Sequence, residues 1–456
     1  MTVVIGIDLG SETVRVAALV EDRPVAVTAF PAVLATAGSR VEIGRAAAAL
    51  PGAQRNVPGT SAEQLAWLVR AAVLAVEEAH GPVLGAVFAV PARLGAVERR
   101  AVRDAASIAG IPLTRLIASP VAVAMSLPSA PDGRWLVCEA GAEAFSASVI
   151  DRSNGAVDRL TTIDEPGLGG RALGRVVADH LARTIQPAPA ADDPAIVAAA
   201  AALREHLGNA TGAEAALAAI VDGAPHLRGL RPPRRDELEL WMAPRIRTVD
   251  EVCANALAAA GIATNELSEV VLAGGGARAA ALARRLGQTL ARAPRLPSDP
   301  GFAAALGAAR LARMFLAEPV ALVVDVVPNT LSLAHGGEPA PLVPAGAVLP
   351  TRESRVLTTR DDNEPALEVE LWEHGPSPRA LGRWRLGDLP AAPAGDVVAI
   401  CSVTVDADGI PRLTAAELVS GAALLVTPVG MLESDGGLDP ETVAARRAAV
   451  GEWRPG

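Results

Sequence analysis

Several apolar, β-rich runs in this chain end on glycine, a pattern that lets a main chain come close to a phosphate. VVIGIDL (3–9) enters Gly10-Ser11-Glu12, WLVCEA (135–140) enters Gly141, and EVVLA (269–273) enters Gly274-Gly275-Gly276. A further cluster, Gly167-Leu168-Gly169-Gly170, opens a helical segment over 172–184. Backbone N–H groups in such turns hold an anion well, because no Cβ blocks its approach. Gly10, Gly141, Gly169, Gly170, Gly274, Gly275 and Gly276 are therefore candidate phosphate-binding positions. The same glycines would serve equally as plain tight turns, and the pattern alone does not choose.

The elements around these turns repeat. Residues 3–9 and 13–20 read as a β-hairpin, followed by a helix over 61–80 with Ser61 as N-cap. A strand (85–90) then ends at Pro91, and a helix from Ala96 to Ala109 closes at Gly110. The order restarts with strands at 135–140 and 145–151 and the helix over 172–184. A Pro/Ala-rich stretch (187–194), helices near 195–207 and 236–260, the strand 269–273 and a helix through Leu290 follow. A strand–glycine–helix pattern present in both halves implies a duplicated α/β domain with a nucleotide cleft between lobes.

After Glu318 the pattern changes. ALVVDVVP (321–328) reads as an extended apolar linker, and alternating runs at 354–360, 366–372, 397–406 and 422–428 read as strands. Turn signals at Gly336-Gly337, Asp361-Asp362-Asn363 and Asp406-Ala407-Asp408-Gly409 separate them, which predicts an antiparallel β-sandwich. The expected division is 1–318 (two-lobed nucleotide-binding domain), 319–328 (linker), 329–430 (sandwich) and 431–456 (a short helix near 439–449 with a loose end).

Composition sets bounds on function. A chain of 456 residues exceeds what one core usually organises, so two or three domains are expected. Half the residues are hydrophobic and 20% are charged, which excludes wholesale disorder. The formal charge of −10 gives no basic footprint for nucleic acid. All 41 basic residues are arginines, so chemistry that needs a lysine ammonium is ruled out. Cys138, Cys253 and Cys401 form neither a metal spacing nor a disulfide framework, which fits a reducing compartment. No signal-like N-terminus and no bilayer-length apolar run is present, so the expected location is cytoplasmic, with no membrane partner.

Longer stretches carry a resemblance to the Hsp70 chaperones over about residues 3–430. IGIDLGSETVRVAAL resembles the family's first phosphate loop, and AVFAVPARLGAVERRAVRDAASIAGIPLTRLIASPVAVAMSL its interlobe stretch. AGGGAR with DPGFAAALGAA resembles the adenosine-binding motif, while VVDVVPNTLSLAHGG and VDADGI resemble the tether, start and core turn of the peptide-binding sandwich. The resemblance implies an actin-like (duplicated ribonuclease-H-like) ATPase domain followed by an all-β sandwich. It also implies ATP/ADP and Mg²⁺ as cofactors, extended peptide segments or a dedicated client protein as partners, and a co-chaperone. The family's full outer subdomain and its helical lid are not expected, since 20–91 is short and little follows the sandwich.

Carried over residue by residue, the resemblance puts Asp8 beside magnesium-bound waters, with Glu139 as a second carboxylate on that side, and Ser11 in the first loop. It sets the Arg278 guanidinium against the adenine ring. The chain also departs from the family. Ser119 stands where the catalytic glutamate belongs, the partner lysine cannot exist, and Ala142-Glu143-Ala144 replaces glycines and a threonine. A Glu12 or Glu143 carboxylate about 4 Å from phosphate would repel it by about 4 kcal/mol at an effective dielectric near 20. Hydrolysis is therefore expected to be slow or lost. The implied coupling set is Arg99, Arg115 and Asp325, and the implied peptide-binding set is Leu357, Leu367, His335 and Arg360. The chemistry leaves two functions open: a nucleotide-binding chaperone, or a pseudo-ATPase scaffold that holds one protein partner.

Overall fold

The computed structural model describes residues 2–37, 40–48, 50, 53–55, 60–154, 156–185, 188–190, 192–205, 210–231, 233–317, 323–429, 438 and 440–453. The expected boundary at Glu318 and the linker residues 319–322 fall outside these, as do 431–437. By its contacts the chain divides into two compact units, one of Met1–Ala122 with Ala305–Gly456 and the other of Val123–Ala304. The sandwich segment thus shares a unit with the first hairpin.

In the first unit, strands β1 (Val3–Leu9), β2 (Thr13–Val20), β3 (Arg23–Pro31), β4 (Val83–Val90) and β5 (Leu113–Ala118) form one sheet in the order β3-β2-β1-β4-β5. β1 runs antiparallel to β2 and parallel to β4. β1 is buried along nearly its whole length, as an apolar strand covered on both faces should be. A small sheet of Val33–Ala37, Arg40–Ile43 and Gln54–Arg55 fills the segment expected to be short.

Helix α1 (Ala62–His80) starts at Ser61, whose hydroxyl accepts from Gln64 N while the Gln64 side chain accepts from Ser61 N. Its Leu65, Leu68, Val69, Ala72, Val73 and Val76 recur at helical spacing and enter the core with Ile5, Ile7 and Phe88. Helix α2 (Ala96–Ile108) follows β4.

The second unit repeats this order. β6 (Gly133–Ala140) pairs antiparallel with β7 (Phe145–Ser153) and parallel with β9 (Leu267–Ala273), and β8 (Ala156–Glu165) extends the sheet beyond β7. Helices α3 (Gly170–Ala182), α4 (Arg235–Ile246), α5 (Val249–Ala260) and α6 (Ala280–Thr289) surround it, with two more helices at Pro194–Glu205 and Ala210–Gly223. The single helix expected over 236–260 is two, broken at Arg247–Thr248 just after Pro244, which supplies no N–H to the helix ladder. The helix at Ala210–Gly223 had no clear sequence signal, because alanine dominates it and no polar face marks its period.

Helix α7 (Ala303–Ala317) returns the chain to the first unit, where it lies directly on β1. A Cβ on Gly6 would come within 2.2 Å of Ala305 O and 2.3 Å of Ala309 N, so only glycine allows that approach.

The remaining strands are β10 (Thr330–Ala334), β11 (Ala340–Val343), β12 (Thr351–Thr358), β13 (Leu367–His374), β14 (Arg379–Gly387), β15 (Val398–Val405), β16 (Pro411–Glu417) and β17 (Leu425–Pro428). They form a five-stranded sheet, β11-β10-β13-β14-β17, and a three-stranded sheet, β12-β15-β16. Leu331, Leu333, Leu367, Val369 and Leu371 meet Ala399, Cys401, Val403 and Val405 in the core of this sandwich. β14 and β16 escaped the sequence reading, since Arg-rich RALGRWRLG and proline-led PRLTAAE carry weak strand signals.

A short helix stands where one was expected near 439–449. Helix α8 (Pro440–Gly451) lies on α1 and α2, with Val450 buried in the first unit's core and Trp453 edge-on to Trp67 at a centroid distance of 6.3 Å.

Gly6→Ala should overpack the β1–α7 contact and lower stability by about 1–3 kcal/mol. A urea midpoint equal to wild type would mean that α7 can move off β1 freely.

Candidate functional site

Each half of the expected phosphate site lies in a different unit and is built by its own hairpin. In the first unit the β1–β2 register sets Asp8 opposite Arg15, with a closest approach of 3.7 Å. Gly10 begins the turn; a Cβ there would meet Thr13 O at 2.7 Å. Ser11 and Glu12 are half-buried beside it, and Glu12 O accepts from Ala32 N at 2.9 Å. Burial pushes the Asp8 carboxyl up to about 6, and Arg15 draws it partly back. Ser119, 8% exposed, opens the helix Ser119–Met125 and brings neither carboxylate nor base to this end of the sheet.

In the second unit, Glu139 precedes Gly141 as Asp8 precedes Gly10, and it lies opposite Ser146 across the β6–β7 ladder. Gly141 N donates to Ala144 O at 3.0 Å and closes the turn on itself. Gly170 N donates to Gly141 O and Arg171 N to Ala142 O, both at 2.9 Å, so the first turn of α3 is tied to this loop. Gly169 must be glycine, since a Cβ would stand 2.3 Å from the Glu143 backbone. Gly274 has φ +90°, donates to Pro300 O at 2.8 Å, and packs on Ala140. Amides at four of the expected phosphate positions (Gly141, Gly169, Gly170 and Gly274) therefore already donate to the chain's own carbonyls.

Glu143 does not stand alone. Its carboxylate pairs with Arg171, which compensates the repulsion expected from its charge. Gly141, Gly170, Gly275 and Gly276 rim a pocket walled by Leu173, Met242, Ile246 and Leu282. Arg278 stands at its mouth, 70% exposed and 3.9 Å from Asp299. A glycine rim with apolar walls and an exposed guanidinium suits a planar ring carrying a polar tail.

No group of three His, Cys, Asp or Glu side chains among the described residues forms a metal cage. A magnesium ion bound through water needs none, and a buried carboxylate such as Asp8 fits that mode. It would neutralise phosphate charge when bound. No described helix is long and apolar enough to cross a membrane.

In the sandwich, Leu357 and Leu367 are core residues, 6% and 0% exposed. His335 and Arg360 meet: Arg360 Nη1 donates to Gly336 O at 3.0 Å and Nη2 to His335 O at 2.5 Å. The His335 ring nitrogens lie 3.0 Å from Glu368 O and 3.3 Å from Thr358 O, while Arg360 N donates to Glu364 at 2.7 Å. Main-chain carbonyls of His335, Gly336, Thr358 and Glu368 are thus held by the chain's own side chains.

Of the residues expected to couple the domains, Arg99 on α2 and Arg115 on β5 both meet the Asp406–Gly409 turn. Arg99, fully buried, donates through Nη1 to Asp408 O at 3.0 Å, and its Nη2 lies 3.8 Å from Asp325. Arg103 donates to both Asp406 and Asp408 at 2.8 Å, and Arg115 to Ala407 O at 3.1 Å. Leu116 N donates to Asp408 Oδ1 at 2.9 Å.

Two partners were missed. Glu373, 3% exposed, accepts from Ala96 N at 2.9 Å, and Arg379 bridges it to Glu98. Burial raises the Glu98 carboxyl, but hydrogen bonds from Arg379 outweigh this and hold it below its ordinary value. The available signal was Glu373 itself: in LEVELWEH it follows Leu367, Val369 and Leu371 at the fourth inward position.

The Asp8 shift has a sign that can be tested. A carboxyl raised from 3.8 to about 6 favours the folded state below pH 4, and that contribution is lost as pH rises through 6. Asp8→Asn should therefore be more stable than wild type at pH 8, by up to about 3 kcal/mol, and equal to it near pH 4. Urea unfolding at the two pH values measures the difference.

Comparison with known proteins agrees with this geometry. The Hsp70 protein family model matches residues 52–435. Chaperone protein HscA of Yersinia pseudotuberculosis serotype I is 30% identical over 393 residues, covering 83% of this chain and 60% of that protein. HscA of Escherichia coli O7:K1 is 30% identical over 378 residues and that of Shigella boydii serotype 18 is 29% identical over the same length, each covering 80% of this chain and 60% of the relative. The chain thus spans about 60% of the length of the curated relatives it matches. A family match over most of the chain, together with the repeated hairpins and the strands that follow them, makes this protein a member of the Hsp70 family.

Proposed function

We propose that this chain is an Hsp70-type chaperone that binds adenine nucleotide weakly, turns it over slowly or not at all, and holds extended apolar peptide segments. In this reading 1–318 is the actin-like nucleotide-binding domain, 319–328 the linker, 329–430 the peptide-binding sandwich and 431–456 a helical tail. The observation that carries it is the glycine-rimmed pocket of the second unit, which Arg278 helps to line; the first unit's own hairpin keeps Asp8 and Gly10. Adenosine would lie between the apolar walls and Arg278. The phosphates would extend toward Gly141 and Gly170, and magnesium waters toward Asp8 and Glu139.

Weak binding follows from the loop chemistry. A phosphate gains most from amides that have no other acceptor, and here Gly141, Gly170 and Gly274 donate inward. Slow turnover follows from Ser119 and the absence of lysine, because phosphoryl transfer depends on positioning and charge neutralisation. A second reading, a scaffold for one fixed partner protein, is favoured by the Arg360 latch across the sandwich channel. A client, and a co-chaperone that acts on it, would belong to the first reading.

Titration calorimetry with ADP and ATP, with and without Mg²⁺, separates the two. The chaperone reading expects micromolar binding without detectable phosphate release, and Arg278→Ala should weaken it about tenfold. An absence of heat with every nucleotide would leave the scaffold. Arg360→Ala tests the channel: it should release the His335 and Gly336 carbonyls and tighten an apolar fluorescent peptide about tenfold by anisotropy. Unchanged affinity would mean that the latch does not gate the channel.

A further inference from the structure

We infer that helix α8 is a strap that holds the sandwich on α2, so that docking belongs to the folded chain and needs no nucleotide. The argument starts from the ends of α2. Its N-cap is Gly95, which has no side chain to cap with, and the first-turn N–H of Ala96 donates instead to Glu373 of the sandwich. A Cβ on Gly95 would stand 2.4 Å from the Glu373 carboxylate, so the cap residue is small because the sandwich fills the place of its side chain.

At the other end, Arg447 of α8 donates to Ser107 O through Nε at 3.0 Å and Nη2 at 2.7 Å. A carboxylate thus sits at the positive end of the helix dipole and a guanidinium at the negative end. Both come from the later part of the chain.

The strap has its own anchors. Val450 is 1% exposed, and Trp453 donates to Val41 O at 2.8 Å while packing on Trp67. Arg446 lies 3.7 Å from Glu63, and Leu438 N donates to Asp104 at 3.3 Å. The chain leaves the sandwich at Pro428 and is back on α2 by Leu438. On its other side the sandwich is preceded by Asp325 of the linker, buried against Arg99. A body tethered on both sides of its interface re-docks as an intramolecular event at high effective concentration.

Two amides report docking directly, because each donates to a sandwich carboxylate: Ala96 to Glu373 and Leu116 to Asp408. Hydrogen exchange on the nucleotide-free full chain reads both. In wild type they should be protected. In the double variant Arg447→Ala, Trp453→Ala they should exchange at least tenfold faster, while amides in the middle of α1 and of β13 keep their wild-type rates and show that both bodies remain folded. Arg447→Gln, which keeps the helix and removes only the cap, should give a smaller acceleration at the same two sites.

Wild-type rates at Ala96 and Leu116 with a released α8 would overturn the inference, and so would rapid exchange at these amides in the unmodified, nucleotide-free chain. Neither outcome depends on whether nucleotide binds, so the inference can fail separately from the functional reading.

Discussion

Capping at the two ends of one helix organises the first unit. α2 has unsatisfied N–H groups at its start and carbonyls at its end, as every helix does. Here Glu373 answers the first and Arg447 the second. Between them Arg99, Arg100 and Arg103 reach the Asp406–Gly409 turn and the strand after it. Gly110 N also donates to Ser107 O, so the C-terminal end closes locally and Arg447 adds to that cap; each of the other contacts links α2 to a distant part of the sequence. That is the physical reason the contacts group Met1–Ala122 with Ala305–Gly456.

Charges make up much of this interface, and charges are costly to bury. Arg99, Asp325 and Glu373 are each less than 4% exposed. Removing one partner of such a group leaves an uncompensated charge and typically costs about 3–5 kcal/mol. The return for that burden is directional: a guanidinium fork and a carboxylate fix orientation in a way apolar contacts do not. Arg379 shows this, since its fork reaches Glu98 on α2 and Glu373 on β13 at once. Gly95 and Gly409 then follow as steric consequences, one leaving room for Glu373 and the other, at φ +78°, for Arg99.

The parts that were legible in the sequence are those governed by local rules. Both hairpins, the Ser61 N-cap and the strands with clear alternation follow from period and turn chemistry, and their positions differ from expectation by only a few residues. Gly10 and Gly141 could be named because a strand end and a glycine turn are adjacent in sequence, and Asp8 because the family resemblance implies it. Glu373, Arg379 and Arg447 could not, because what makes each important lies far along the chain. A glutamate at an inward strand position reads as a flaw until its partner is known. Likewise Glu143 read as a repulsive charge because Arg171, its counter-ion, stands at the start of a helix well beyond it in sequence. The helix α8 was legible near 439–449 but its seat was not, because its anchoring side chains Arg447, Val450 and Trp453 do not form a sustained apolar stripe.

The two functional regions stand in contrast. In the phosphate loops, groups that could receive a ligand have turned to the chain's own carbonyls, and Ser119 offers no replacement for a catalytic carboxylate. At α2 the reverse holds: carboxylates and arginines from separate segments all find one another. A nucleotide shifts an equilibrium only by the difference in its affinity for the two states. If the loops bind phosphate as weakly as proposed, that difference is small, while several buried charge pairs hold the sandwich turn and β13 on α2. On the proposed reading, the balance between these two regions, rather than any single missing residue, sets how far a bound nucleotide could shift the chain.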